Sequence, residues 1–122
     1  MQKTILAIGA AMGFLSVAFG AFGAHALKTR LSAHMLAVFE TGVRYQMYHA
    51  LALIAVAAAM GDAGGSLFRW AAWLFVGGIV LFSGSLYALA LSGMTILGAV
   101  TPIGGVLFLA GWVCLGLAAL GK

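Results

Sequence analysis

The chain has 122 residues, of which 65% are hydrophobic and only 7% are charged. A water-soluble domain carries about 25% charged residues, so this chain cannot cover a surface that faces water. The formal net charge is +4, but the basic residues are dispersed near the ends of apolar segments. That pattern is typical of membrane anchoring and not of nucleic-acid binding. At this length we expect one domain, residues 1–122.

The first apolar segment runs from about Thr4 to Ala24. This is long enough to cross the roughly 30 Å hydrocarbon core of a bilayer. We therefore predict a retained transmembrane helix and not a cleaved signal peptide. Gly9 and Gly13 form a GxxxG pair, and further small residues continue the series toward Ala24. Small residues let helix backbones approach closely in lipid, so this helix is expected to pack tightly.

The second predicted helix covers residues 33–60 and has two parts. Apolar residues at i, i+4, i+7 and i+8 from Leu31 predict an amphipathic segment that lies at the membrane interface. The apolar part that follows, from about Val43, is predicted to cross the bilayer. An unbroken helix of this length would be about 42 Å long at about 1.5 Å per residue, which exceeds the hydrocarbon core. We therefore expect its first turns to lie among the head groups, or the helix to bend at Gly42.

The third and fourth predicted helices cover residues 67–91 and 95–120 and are strongly apolar. The short connection between them requires antiparallel neighbours. Pro102 lies inside the fourth helix, where it lacks an N–H to donate, so we predict a helix kink there. A static kink is favoured over a gating hinge. The predicted fold is an all-α integral membrane protein, a four-transmembrane-helix bundle with an amphipathic interfacial segment before helix 2.

The distribution of basic residues leaves the membrane orientation open. With four spans, the basic residues divide equally between the two sides, with Lys3, Arg69 and Lys122 on one side and Lys28, Arg30 and Arg44 on the other. Equal numbers give the positive-inside rule nothing to act on. Dual topology is therefore compatible with the sequence.

Polar residues gather where the first and second helices are joined. Glu40 precedes Arg44 by one turn, the favourable order for an ion pair, and we predict that this pair lies at the membrane boundary. His25 follows the first helix and is predicted to lie within about two turns of His49. Ionisable residues within spans are costly and are functional candidates by default. The candidate ligand-binding residues are His25, Glu40, Arg44, Tyr45, Gln46, Tyr48 and His49.

A purely anchoring role for these residues stays open. Tyr45 and Tyr48 fit an aromatic belt, and Arg44 is able to extend to the head groups. His25 and His49 are weak candidates for metal ligands, because neither HxxxH nor ExxH spacing is present. No cofactor is predicted, although a metal or a haem with two axial histidines is not excluded. The chain has no serine nucleophile motif, phosphate loop or carboxylate pair, so we predict no catalytic residue and no enzyme activity.

Four segments carry a resemblance to a known family. They are GAFGAHALK at residues 20–28, FETGVRYQMYHALAL at 39–53, FSGSLYALALSG at 82–93 and TPIGGVLFLAGW at 101–112. In this order they resemble the YgdD/YwdK-like family of small four-helix bacterial membrane proteins without an assigned function. The resemblance implies a multi-pass protein of the bacterial cytoplasmic membrane. It supplies no ligand and no catalytic residue.

Three functions from different classes remain, of which a redox or metal-dependent enzyme subunit is the least favoured. The first is a non-enzymatic bundle that binds a small polar ligand, ion or lipid head group at the helix 1–2 edge and helps to move it. One chain has little interior, so this function requires a homo-oligomer. Arg44 would contact the anion, with Glu40 as its partner, and His25 and His49 would be proton-sensitive or metal-binding. The alternative is a structural or regulatory accessory subunit of another membrane protein, recognised through the small-residue faces.

Overall fold

The computed structural model describes every residue from Met1 to Lys122, and all regular structure in it is helical. There are four long helices, α1 Gln2–Leu27, α2 Ala33–Met60, α3 Ser66–Ser92 and α4 Thr95–Ala119. The prediction of an all-α fold with four helices is confirmed.

Three of these helices, α1, α3 and α4, are long and apolar enough to cross a membrane. Helix α2 has sufficient length, at 28 residues, but it is not among these three candidates. Arg44, Gln46 and His49 all lie in its middle and lower its hydropathy. The structure thus supports three of the four predicted spans by length and composition, and the span formed by α2 stays a prediction.

Helices α1 and α2 pack antiparallel along nearly their whole lengths. At one end, Gln2 Nε2 donates a hydrogen bond to the Ala57 carbonyl at 2.9 Å. At the other end, Gly23 lies against the ring of Phe39, which is buried. The residues predicted to form an interfacial segment are therefore the first turns of α2, and they already pack beside the end of α1.

Helix α2 continues through Gly42 without interruption. Ser32 caps its start, since Ser32 Oγ accepts a hydrogen bond from the backbone N–H of Met35 at 3.1 Å. At Gly42, an added Cβ would lie only 2.8 Å from the ring of Tyr87 in α3. The glycine expected to be a bending point thus serves close packing between α2 and α3.

Helix α3 contains a π-helical turn, Ile79–Ser83, against which α4 packs very closely. A Cβ at Gly104 of α4 would overlap the backbone of Phe82, so only glycine fits at this position. Further along, Gly111 of α4 faces the ring of Phe75, where an added Cβ would lie 2.7 Å from the ring. Close approach at small residues is the usual basis of helix association in lipid.

Pro102 lies where α4 changes its helix type. The helix begins with 3-10 turns over Thr95–Ala99 and becomes α-helical from Thr101 onward. Pro102 is in the first turn of the α-helical part, where its missing N–H leaves no intrahelical bond unmade. From the sequence, Pro102 was expected in a helix interior. The structure instead locates the irregularity of α4 at the junction of the 3-10 and α-helical parts.

Candidate functional site

The structure separates the predicted site residues into groups that face in different directions. Gln46 and His49 are buried on the side of α2 that faces the bundle. Glu40, Arg44 and Tyr48 form one line along the opposite side, here called the outer stripe. Tyr45 is partly exposed between the two groups, and His25 is exposed in the π-helical turn that ends α1.

His25 and His49 do not come together. The carbonyl of Ala50, the residue after His49, lies against Gly9 near the start of α1. His25 is at the far end of α1, roughly 24 Å from Gly9 at about 1.5 Å per residue. The prediction that His25 and His49 lie within about two turns of each other is wrong, because α2 packs along α1 from its first turns. Nowhere in the structure do three His, Cys, Asp or Glu side chains converge in an arrangement that could hold a metal ion.

His49 links α2 to α4 through one ring nitrogen and bonds within α2 through the other. Nδ1 lies 2.7 Å from the carbonyl oxygen of Tyr45. A carbonyl only accepts, so Nδ1 carries the proton. Trp112 Nε1 then donates to His49 Nε2 at 3.1 Å, and the imidazole stacks on Phe108 with the centroids 3.5 Å apart. His49 is therefore neutral in this arrangement, and neither nitrogen is free for a metal or a haem iron.

Gln46 connects α2 to both α1 and α3. Its Nε2 donates to the carbonyl of Met12 at 2.9 Å, and Tyr87 Oη donates to its Oε1 at 2.6 Å. One turn away, Ser83 Oγ in the π-helical turn donates to the carbonyl of Gly42 at 2.7 Å. No buried side-chain nitrogen or oxygen lacks a partner. The polar residues on the inward side of α2 therefore hold the helices together.

Sequence reasoning missed the partners of these two residues. Tyr87 and Trp112 come from distant parts of the chain and lie within apolar helices. A signal did exist, because a polar side chain within a span needs a hydrogen-bond partner from a neighbouring helix. The sequence alone did not indicate which of the polar residues would be that partner.

Arg44 lies opposite the middle of α1. Ser16 Oγ donates to the carbonyl of Val43 at 2.9 Å, and Gln46 reaches Met12, so Arg44 lies level with the segment between Met12 and Ser16. Each end of α1 is about 20 Å from this level at about 1.5 Å per residue. Arg44 therefore lies level with the centre of a candidate span, and its predicted position at a membrane boundary stays a prediction.

The ion pair on the outer stripe is open and loose. Arg44 Nη2 lies 3.9 Å from Glu40 Oε2, and the two side chains are 62% and 46% exposed. Exposed pairs of this kind contribute little to stability. Arg44 has no other carboxylate partner in the structure. Tyr48, one turn further, is also exposed. The outer stripe therefore presents polar groups that a single chain leaves largely unsatisfied.

An apolar groove runs beside the outer stripe, between α1 and α2. Its volume is about 430 Å³, and Met47 and Leu51 lie on its α2 side. Gly13 lines its α1 side, where an added Cβ would meet no atom within 4 Å. Gly9, by contrast, packs directly against α2. Of the predicted GxxxG pair, one glycine joins the two helices and the other faces open space.

Comparison with known proteins gives consistent matches. A family model described as protein of unknown function (DUF423) matches residues 19–105. A UPF0382 membrane protein of Staphylococcus haemolyticus is 50% identical over 114 residues, which is 93% of each chain. The UPF0382 membrane protein YwdK of Bacillus subtilis is 45% identical over 120 residues, 98% of each chain. No solved structure matches. The resemblance based on the four sequence motifs is confirmed, and these relatives are bacterial membrane proteins.

Proposed function

The chain belongs to the DUF423 family of proteins of unknown function, and from that premise we propose a non-enzymatic role in the bacterial cytoplasmic membrane. In this proposal all four helices span the membrane. The protein binds a small anion, or another small polar ligand with a negative group, and helps to move it. Binding takes place at the outer stripe, which copies of the chain bring together in a homo-oligomer.

The depth and direction of Arg44 carry this proposal. Arg44 lies level with the middle of α1, a candidate span, and its side chain faces away from its own bundle. An arginine at the centre of a membrane helix costs about 2.5–3.5 kcal/mol on insertion scales. Ionisable residues at such depth almost always face a protein interior or a water-filled cavity. A single chain offers Arg44 neither, which favours an assembly that encloses it.

An assembly also supplies the interior that one chain lacks. If copies pack with their outer stripes toward a common axis, each contributes a guanidinium and a carboxylate to a shared polar interior. Arg44 then contacts the negative group of the ligand, and Glu40 holds Arg44 in place when no ligand is bound. The long distance of 3.9 Å within this pair suits such an exchange of partners.

Buried residues hold α2 in position in this proposal and do not bind the ligand. Gln46 fixes the rotation of α2 against α1 and α3, and His49 fixes it against α4. With both residues anchored inward, Glu40, Arg44 and Tyr48 are directed outward by the helical period. His25 lies too far along α1 to take part.

Native mass spectrometry of protein gently extracted from its own membranes tests the proposal. We expect a homo-oligomer that carries a discrete bound mass, and we expect Arg44→Ala to lose that mass while keeping its helical content. Arg30→Ala removes the same charge from the loop between α1 and α2 and serves as the matched control. An unliganded oligomer, or equal retention of the bound mass in both variants, would contradict the proposal.

The open groove favours a second candidate, an accessory subunit of another membrane protein. A partner helix placed against Gly13 could approach α1 closely. Gly13→Leu fills this groove without disturbing a contact within the chain. Loss of a stoichiometric partner protein in that variant, with the fold intact, would support the accessory role. Retention of the small bound mass in the same variant would support the ligand role.

A further inference from the structure

A second basic site lies where α1 and α3 begin, at a distance from the outer stripe. A cavity of about 340 Å³ opens there between the two helices. Its lining consists of the residues Met1, Ser66, Arg69, Trp70 and Trp73. Cavities of this size hold small ligands or head groups. The function proposed above uses none of these residues.

The cavity contains a guanidinium that has no partner in the protein, that of Arg69. Arg69 is exposed, and no carboxylate lies within ion-pair distance of it. Asp62 is the acidic residue closest in sequence, and it forms no ion pair with Arg69. The guanidinium therefore keeps its full set of donors for an external group. Planar bidentate donation suits a phosphate oxygen pair particularly well.

The remaining lining groups suit the rest of a lipid head group. Trp70 and Trp73 are 62% and 47% exposed, and their indoles combine an apolar face with an N–H donor. Such rings concentrate at the level of the head groups and glycerol backbones. Ser66 offers a hydroxyl and also borders a neighbouring hollow that Lys122 lines. The site thus combines a guanidinium, a hydroxyl and two amphipathic rings, and Lys122 lines the adjoining hollow.

We propose that this cavity binds the phosphodiester of an anionic glycerophospholipid. No acidic side chain lines the cavity, so no carboxylate there pairs with the ammonium group of a choline or ethanolamine lipid. Arg69 repels such a group in addition. A head group without its own cation, such as that of phosphatidylglycerol, satisfies the guanidinium fully. An ordinary aromatic belt needs neither a cavity nor an unpaired arginine, and both are present here.

Native mass spectrometry with added lipid tests this site on the intact chain. The detergent-solubilised protein is mixed with phosphatidylglycerol or with phosphatidylcholine of identical acyl chains. We expect the wild type to retain phosphatidylglycerol preferentially, and Arg69→Gln to bind it about tenfold more weakly, as expected when one bidentate ion pair is lost. Lys3→Gln is the matched control, because it removes the same charge at the start of α1 but does not line the cavity.

Each alternative outcome has a definite meaning. Equal losses in Arg69→Gln and Lys3→Gln would mean retention by bulk charge and would overturn the site. Preference for phosphatidylcholine would overturn the phosphate assignment. Displacement of the lipid by millimolar inorganic phosphate would show that the free anion is the ligand and would overturn the lipid assignment. If Arg69→Gln fails to fold, Arg69→Lys replaces it, and undiminished binding in that variant would overturn the bidentate contact.

Discussion

Both sides of α2 carry polar residues, but the inward ones are buried and hydrogen-bonded whereas the outward ones are largely exposed. On the inward side, Gln46 is hydrogen-bonded to α1 and α3, and the ring nitrogens of His49 are engaged by Trp112 of α4 and by the Tyr45 carbonyl within α2. On the outward side, Glu40 and Arg44 share one long ion pair and are otherwise exposed. The inward polar groups are thus explained by the fold of one chain. The outward groups are not, and this difference separates structural residues from functional candidates.

The largest effect on stability should come from Gln46→Leu. This change leaves the Tyr87 hydroxyl and the Met12 carbonyl without their partner, at an expected loss of about 2–3 kcal/mol in unfolding free energy. Unfolding in mixed detergent and SDS micelles measures it. Arg44→Leu is the control on the outer stripe and should be neutral or stabilising. Equal losses in the two variants would remove the distinction between the two sides of α2.

Gly42 and Gly13 allow a buried and an open glycine to be compared by the same substitution. Gly42→Ala places a methyl group 2.8 Å from the Tyr87 ring, so we expect a loss of about 1–2 kcal/mol from overpacking. Gly13→Ala adds the same methyl group where no atom lies within 4 Å, and it should leave the stability unchanged or slightly raised. Thermal unfolding followed by circular dichroism in one detergent compares them. Loss of stability in Gly13→Ala alone would contradict the described packing.

A double-mutant cycle measures the contact between α2 and α4. His49→Phe keeps a ring that can stack on Phe108 but removes the acceptor for Trp112, and Trp112→Phe removes the donor. We expect a coupling free energy of about 1 kcal/mol between the two positions, the usual range for hydrogen bonds in membrane proteins. Strictly additive losses would mean that the hydrogen bond contributes nothing to the stability of the bundle.

The smallest effect should come from Glu40→Gln. The ion pair with Arg44 is long and exposed, so the unfolding free energy should change by less than about 0.5 kcal/mol. The same variant should alter ligand retention if Glu40 holds Arg44 in the unliganded assembly. A large loss of stability in the isolated chain, with unchanged retention, would mark the pair as structural and break the proposed division.

The helices could be predicted from the sequence because their signal is local. Apolar length, glycines and short connections define α1, α3 and α4, and the cap at Ser32 marks the start of α2. The arrangement of the polar residues could not be predicted in the same way. The helical period places Arg44 and Gln46 on different sides of α2, but it does not indicate which side faces the bundle.

The level of Arg44 along the bundle could not be predicted from the sequence, for a specific physical reason. Amphipathic residues near the start of α2 suggested a segment lying on the membrane, which would place Arg44 near its boundary. In the structure these turns pack alongside α1, since Phe39 fits beside Gly23 and is buried, and Arg44 comes level with the middle of that helix. Gly23 of α1 leaves room for the Phe39 ring, and this contact lets the first turns of α2 run along α1. Such pairings between helices are not readable from one segment alone.

The π-helical turn in α3 should make this helix tolerant of the deletion of one residue. A turn of this kind contains one residue more than an α-helical turn of the same rotation. Loss of one residue within Ile79–Ser83 could therefore restore a regular α-helix without rotating the part that carries Tyr87. The same deletion elsewhere in α3 would turn Tyr87 away from Gln46 by about 100°. The π-helical turn is thus a place where α3 can lose one residue while Tyr87 still points toward Gln46.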